Sequence, residues 1–457
     1  MSNLALLYFS LTIYSCGIAN ARGAGRGISL KLIMSRKIVF VFKSSVSPMR
    51  ASITPYLKAL MPPYSKDAIP HIFVTVVIVV SLVLTLQVLQ ENTGYDSEAQ
   101  ESFASSNPDQ RRSIGYGIGD PSQCTTVLQP GGGLQVAINA ANPGDIICLR
   151  AGEYTSSGAI DMKSGSPTQA RITIRGYPGE SATIRAAIEH LDGDAPATLD
   201  GLKIDSHGAS HASIRWWGDN LTVRYVSVTN RHDTGSNASC IHMGASGGGG
   251  LAENAILEYS RMHNCGALLG SGSRGAHGLY NNNSRGAIIR HNMFDHNSER
   301  GLQNYPNSVN SDEYGNILIE NGVNVSFNGS ARGVKFHNNV AANPVRAWNV
   351  KVGADQYTKM TPGNTVTDNC LFSEGMGAPS GMRLIPPTTE SNNFIGDPTI
   401  VGNLETGEIT VTNPECAAKL PPDSPYRGPP AKQPTVQPSI KRLVELIREL
   451  PRILGRM

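Results

Sequence analysis

Long runs of Ala, Leu, Glu and Lys are missing from the middle of this chain, residues ~120–415, and their absence excludes a helical bundle. Charged residues make up only 16% and aromatics 6% of the 457 residues, against 48 Gly. That balance suits a turn-rich β architecture. No Cys-x-x-Cys pair and no Cys/His cluster with zinc spacing occurs, so a structural zinc site is not expected. No Gly-rich phosphate loop stands out. A basic body is lacking too. Residues 1–66 hold nine Lys/Arg and no Asp/Glu, and 439–457 hold five basic residues against Glu445 and Glu449. With a total of only +3, the stretch between them is acidic, which argues against nucleic acid as a partner.

One long apolar run is present. Ile72–Leu89 (IFVTVVIVVSLVLTLQVL) is uncharged over 18 residues, enough to cross a bilayer. Lys58 and Lys66 precede it, and Glu91, Asp96, Glu98 and Glu101 follow. The positive-inside rule puts the start in the cytoplasm and the body outside. No small-residue cleavage site follows, so residues 67–90 read as a retained signal-anchor rather than a removed signal peptide. Burial in a core is the alternative. Residues 1–66 are then a basic cytoplasmic segment, or an upstream stretch if Met34, Met49 or Met61 is the true start. Residues 91–122 are polar and aperiodic and read as a flexible linker.

Of seven cysteines, six follow the apolar run: Cys124, Cys148, Cys240, Cys265, Cys370 and Cys416. An even count suits disulfides in an oxidising compartment. Sequential pairing is the simplest of fifteen connectivities, and buried free thiols are the alternative.

Between these cysteines the chain repeats. Leu221/Val223/Val228/Asn230, Ala255/Leu257/Met262/Asn264, Ala287/Ile289/Phe294/Asn297 and Val334/Phe336/Ala341/Asn343 share one spacing. Apolar residues fall at relative positions 0, 2 and 7, with Asn at 9 or 10. Asn292, Asn339 and Asn369 recur at position 5. Positions 0 and 2 mark the inner face of a strand. Asn suits a tight bend because it tolerates left-handed backbone, and stacked Asn side chains can form ladders. Position 7 opens a second inward face. Ile241, Leu279 and Leu302, each followed by a polar residue, supply a third strand. Gly247–Gly250 and Asn304–Gly315 read as loops. Leu134–Ala141 fits a short helix with one apolar face, a cap for the first coil. The fold expected over 123–416 is all-β, a parallel β-helix with three short strands per coil and an N-terminal capping helix. Residues 417–438 are Pro-rich and read as a linker. Residues 439–457 have Ile440, Leu443, Val444, Ile447 and Leu450 at helical spacing, a basic amphipathic helix for a membrane surface, the solenoid end or a partner.

The segments GGGLQVAINAANPGDIICLRAGEY, HGLYNNNSRGAIIRHNMFDHN and RGLQNYP resemble the opening and repeat patterns of the right-handed parallel β-helix family, the superfold of pectate lyases. NNFIGDPTIVG, residues 392–402, is similar to its usual ending. The resemblance implies a right-handed solenoid that handles polysaccharide. It is weak for the reaction. The fold's hydrolases use a close set of aspartates; no Asp-Asp pair occurs here, and GAHG at 275–278 is a faint echo of their motif.

Position 3 of the repeat gives Arg224, Glu258, Arg290, Glu320 and His337, expected as an outward charge ladder about 4.8 Å per step. His242, Tyr280 and Gln303 follow the inward Ile241, Leu279 and Leu302, so they are expected to align on another outer face. His277 and Arg300 begin two of the same strands, and Asp233 and Tyr305 lie nearby as sugar contacts. A lyase needs a base beside a uronic carboxylate and a cation to neutralise it. Arg300 or Lys335 would be base or clamp. His277, Tyr280 and His242 would be acid/base partners. Solvated surface residues are the alternative reading. Calcium is left open, because Asp233, Asp295 and Asp312 are scattered. The expected function is an extracytoplasmic, membrane-tethered protein that binds an acidic polysaccharide and, as an enzyme, cleaves it by β-elimination. The rival is a non-catalytic glycan-binding, adhesive or envelope protein. Nothing in the sequence bears on oligomeric state.

Overall fold

A computed structural model describes residues 114–428, apart from 132, 209–210, 233–237, 246–249, 268–275 and 354–362. The apolar run Ile72–Leu89, the amphipathic tail, Asp233 and residues 247–249 of the Gly247–Gly250 loop lie outside the described residues. Among the described residues no helix is long and apolar enough to cross a membrane.

From Ile146–Leu149 onward the chain coils through three sheets in turn, with Ala252–Glu253 as an extra strand on the third. An eleven-stranded first sheet runs from Thr126–Leu128 to Thr389–Ser391. A ten-stranded second sheet runs from Gly152–Thr155 to Phe394–Ile395, and a ten-stranded third from Ile160–Asp161 to Met382–Arg383. Every pairing within these sheets is parallel, each strand joining the equivalent strand one coil later, for example Ile256↔Ile288 and Asp312↔Lys335. Parallel neighbours need crossovers, and crossovers are right-handed. The fold is a right-handed parallel β-helix. Coils range from 20 residues, between Ala182 and Leu202, to 38, between Ile241 and Leu279.

The repeat explains the interior. Position 2 stacks Ile174, Leu199, Val223, Leu257 and Ile289 on the first sheet, all at 0% exposure. Position 7 stacks Val228, Met262, Phe294, Leu318 and Ala341 on the second. Each such Val, Leu, Ile, Met or Phe side chain contributes about 1.5–3 kcal/mol on burial. Between first and second sheets the bend uses two residues. The left-handed one is Tyr225, Tyr259, His291 or Asn338. The next faces inward: Val226, Ser260, Asn292 or Asn339. Asn292, Asn316, Asn339, Asn369 and Asn393 then hydrogen-bond side chain to side chain at 3.0–3.1 Å, coil after coil. The expected left-handed backbone occurs at Asn264 and Asn343. At position 5 it belongs to the residue before the Asn, which frees the amide to face inward and satisfy buried carbonyls.

Three details differ from the sequence reading. Asn304–Gly315 is not a loop: Arg300–Val309 is one long strand, and Asp312–Tyr314 opens a coil of its own. That coil escapes an apolar pattern because Glu313 stands where Leu or Ile otherwise does. In the charge ladder, Glu320 is replaced by Tyr314. Glu320 sits at a left-handed bend and pairs with His296 at 2.9 Å. The ladder itself is present, with Arg224 on Asp200 at 2.8 Å and Arg290 on Glu258 at 2.6 Å. The linkers are shorter than expected, since Gly115, Leu420 and Tyr426 already pack on the solenoid.

The ends are covered. Helix Leu134–Ala140 buries Leu134 and Ile138 at the first coils, while Val136 on its other side is 71% exposed. At the far end, the antiparallel pair Ile400–Asn403 and Glu408–Val411 and the helix Pro414–Lys419 lie over the second sheet. There the outer column is apolar: Met293, Ile317, Val340 and Cys370 pack with Ile409, Val411, Leu420 and Tyr426. Three disulfides join Cys124–Cys148, Cys240–Cys265 and Cys370–Cys416, with Cα separations of 5.7, 5.5 and 5.1 Å. The pairing is the sequential one, and it belongs to a protein that matures in an oxidising, extracytoplasmic compartment.

Candidate functional site

The register of the third sheet places one outward residue per coil in a single column: Asp161, Glu189, Arg215, His242, Tyr280, Gln303, Ser326, Lys351 and Arg383. Strand alternation causes this. Ile188, Ile214, Ile241, Leu279, Leu302, Val325 and Val350 fill the interior, and the residue after each must face out. His242, Tyr280 and Gln303 are therefore successive neighbours, with His242 and Tyr280 ring centroids 4.9 Å apart.

His277 and Arg300 form a second, adjacent register pair. The His277 ring lies 5.3 Å from that of Tyr280, and its Nε2 is 3.9 Å from Glu299. The Arg300 guanidinium donates to the Glu299 carboxylate and, at 3.3 Å, to the side-chain oxygen of Gln303. Opposite Asn282 the neighbouring strand carries an extra residue, Tyr305 or Pro306, a bulge beside this group. Asn282 reaches the His242 ring at 3.2 Å, and Tyr305 is half-buried. The structure thus brings His242, His277, Tyr280, Arg300, Gln303 and Tyr305 to one face. Lys335 is not among them. It is exposed on the first sheet beside Asp312, because its strand turns its outward residues to a different side of the solenoid.

Burial sets the protonation states. It pushes the His242 imidazole down to about 4, with Arg215 adding to the shift. His277 is 2% exposed and held well below the usual histidine range by burial, then by Arg300 and His242. Both rings are neutral at neutral pH. The Tyr280 phenol is raised to about 12, chiefly by burial and then by Tyr305, so it keeps its proton. Burial also lowers Arg300.

Sequence reasoning missed Lys351 and Arg383. Burial, then Arg300 and Arg383, hold the Lys351 ammonium below the usual lysine range. Among the described residues neither Lys351 nor Arg383 has a carboxylate at ion-pair distance. The alternation Val350-Lys351-Val352 is the signal that could have found the first of them. The column consequently changes character along its length. At one end Asp161 stands beside Glu189, which is paired with Arg215; the middle is neutral and aromatic, and Lys351 with Arg383 makes the other end basic. Among the described residues no group of three or more His, Cys, Asp or Glu side chains is arranged to hold a metal ion.

Fold and face together define a parallel β-helix with a polar, lengthwise column of side chains on one sheet. No protein-family model matches the chain, and no curated protein matches it. Among solved structures it is similar to the pectate lyase Pel9A, with a TM-score of 0.41 and 15% identity over 69% of this chain and 91% of that one. It is also similar to a polygalacturonase from Erwinia carotovora ssp. carotovora, with a TM-score of 0.35 and 14% identity over 61% and 92%. A third is the PL6 family alginate lyase AlyGC, with a TM-score of 0.33 and 12% identity over 66% and 57%. At these values the likeness concerns architecture, and the chemistry rests on the residues above.

Proposed function

We propose that the outer face of the third sheet binds an acidic polysaccharide along the solenoid axis and cleaves it by β-elimination. The observation that carries this reading is the basic end of the column, where Lys351 and Arg383 stand in register beyond Gln303 and Ser326. A uronate chain places a carboxylate on every sugar, and two basic groups about 4.8 Å apart let Arg383 hold a carboxylate as a cation while Lys351, as the free amine, reaches the proton beside it. Lys351 is the candidate base, since its lowered pKa leaves more free amine at neutral pH. The amine takes the proton beside the carboxylate, the C–O bond to the leaving sugar breaks as the double bond forms, and the resulting ammonium returns a proton to the departing oxygen. Arg383 and Arg300 neutralise carboxylates. Tyr280 and His242 offer ring faces to sugar units farther along.

The test is a lyase assay on the full chain with polygalacturonate and alginate, following the ultraviolet absorbance of the unsaturated product. Activity lost in Lys351→Ala and reduced in Arg300→Ala supports the reading. Full activity in Lys351→Ala removes that residue as base.

A specific observation favours a second reading, a non-catalytic glycan-binding module. Arg300 is already engaged by Glu299, and His277 is nearly inaccessible. Silence in the assay with polymer still retained by the protein would select it. In either case we propose that Ile72–Leu89 anchors the body outside the membrane, so that alkaline carbonate, which strips peripheral proteins, should leave the full chain in the pellet.

A further inference from the structure

A second groove, on the outer face of the second sheet, has a volume of about 1350 Å³. It lies over the early coils, where the outer columns are polar, just before the apolar stretch covered by residues 400–426. Its floor is the column Thr183, Lys203, Ser227 and Arg261, four successive coils spanning about 14 Å. One wall is the turn at residues 405–410, and Tyr116, Tyr225 and Tyr259 supply ring surface. Tyr225 and Tyr259 stack at 5.2 Å, and Tyr116 is 42% exposed.

The charged side chains of the lining balance, Arg185, Lys203, Arg231 and Arg261 against Asp205, Glu405, Glu408 and Asp423, and the guanidinium groups are paired within the protein. Arg185 pairs with Glu153 and Asp205, and Arg231 with Asp205 at 2.5 Å. Arg261 pairs with Asp295 at 2.7 Å and also donates to the carbonyls of Leu404 and Glu405. The Lys203 ammonium lies 5.2 Å from the Tyr116 ring centroid. His263 at the floor is neutral, held near 4 mainly by burial and then by Arg261. An anionic ligand would have to compete with these carboxylates, and a cation with these guanidinium groups. A neutral ligand rich in hydroxyls would not. Hydroxyls can share the planar, pre-oriented Arg and Asp groups and the Ser and Thr side chains, while C–H faces lie against Tyr rings.

We infer that this groove is a separate binding site for an uncharged oligosaccharide several sugars long. Its ligand differs in charge from the uronate polymer assigned to the third sheet, and the two sites lie on different sides of the coil. A protein so built holds two unlike glycans at once.

The test is saturation-transfer NMR on the full chain with cellotriose, xylotriose and mannotriose, and with trigalacturonate as competitor. At least one neutral trisaccharide should bind, and its signal should persist when trigalacturonate is added. Ser227→Trp, which fills the floor, should weaken that binding at least tenfold with the thermal melt unchanged. If Ser227→Trp does not fold, the surface variant Tyr116→Ala should weaken binding severalfold. The inference is overturned if no neutral trisaccharide binds, if trigalacturonate displaces the one that does, or if the folded variants bind it as tightly as the parent.

Discussion

The second and third sheets are built from the same coils, with inward columns of equal apolarity, and differ in what their outer columns do. On the second sheet the guanidinium groups are paired with carboxylates, and the later coils turn apolar and are covered by the chain end. On the third sheet Gln303 and Ser326 are buried, and the outer column ends in the half-buried Lys351 and the exposed Arg383. Inward positions are set by the need to fill a common interior, so they are alike on every sheet. Outward positions carry no such constraint, and they are where this solenoid acquires distinct surfaces.

The sharpest way to break that contrast is at Lys351. Lys351→Ala should lower the elimination rate by about 10²–10⁴-fold, the range for losing a general base. Lys335→Ala, on the first sheet, should leave the rate unchanged in the same absorbance assay. On the second sheet the expected loss is stability. Ile317 faces out from its strand yet is fully buried under the chain end. Ile317→Ala should cost about 2–5 kcal/mol in urea unfolding. Lys351→Ala should cost no more than about 0.5 kcal/mol by the same measurement.

The interior offers a smaller, pH-dependent effect. Glu313 is fully buried, accepts from Asn304 at 2.9 Å, and is raised by burial from 4.5 to about 8. Its folded value lies above its unfolded value. Its contribution to stability is therefore complete below about 4.5 and is lost as pH rises through about 8, by roughly 1.4 kcal/mol per pH unit inside that window. Glu313→Gln, which cannot ionise, should raise the melting temperature over the parent, with a gap that widens from pH 5 to pH 8. An equal gap at both ends would contradict a protonated, buried Glu313. Smallest of all should be an exposed pair at the rim of the third sheet. Arg285→Ala removes the ion pair with Glu253, whose side chains are 61% and 34% exposed, and should cost about 0.2–1 kcal/mol, less at high salt.

Much of the fold was legible because a solenoid writes its interior into the sequence at fixed intervals. Val223, Leu257, Ile289 and Phe336 were found by spacing alone, and the alignment of His242, Tyr280 and Gln303 followed from the apolar residue before each. The coil at 312–319 was not legible, since Asp312 and Glu313 break the apolar signal and the burial of Glu313 depends on Asn304 from another strand. Arg383 was hidden by a strand of two residues, too short to show a period, and Lys351 lay in one of three, where only Val350 and Val352 mark the alternation. The second groove was least legible. It joins Tyr116 to residues 405–410 across nearly the whole domain, and no local pattern marks such a meeting.

The most direct test of the contrast is calorimetric titration of the full chain with oligogalacturonate and with its methyl ester, repeated on the double variant Lys351→Glu, Arg383→Glu. The acid should bind the parent, the ester should bind far more weakly, and the double variant should lose the acid by at least a hundredfold while melting at the parent temperature. Equal binding of acid and ester, or an unaltered affinity in the double variant, would contradict the assignment of the third-sheet face to an acidic polysaccharide.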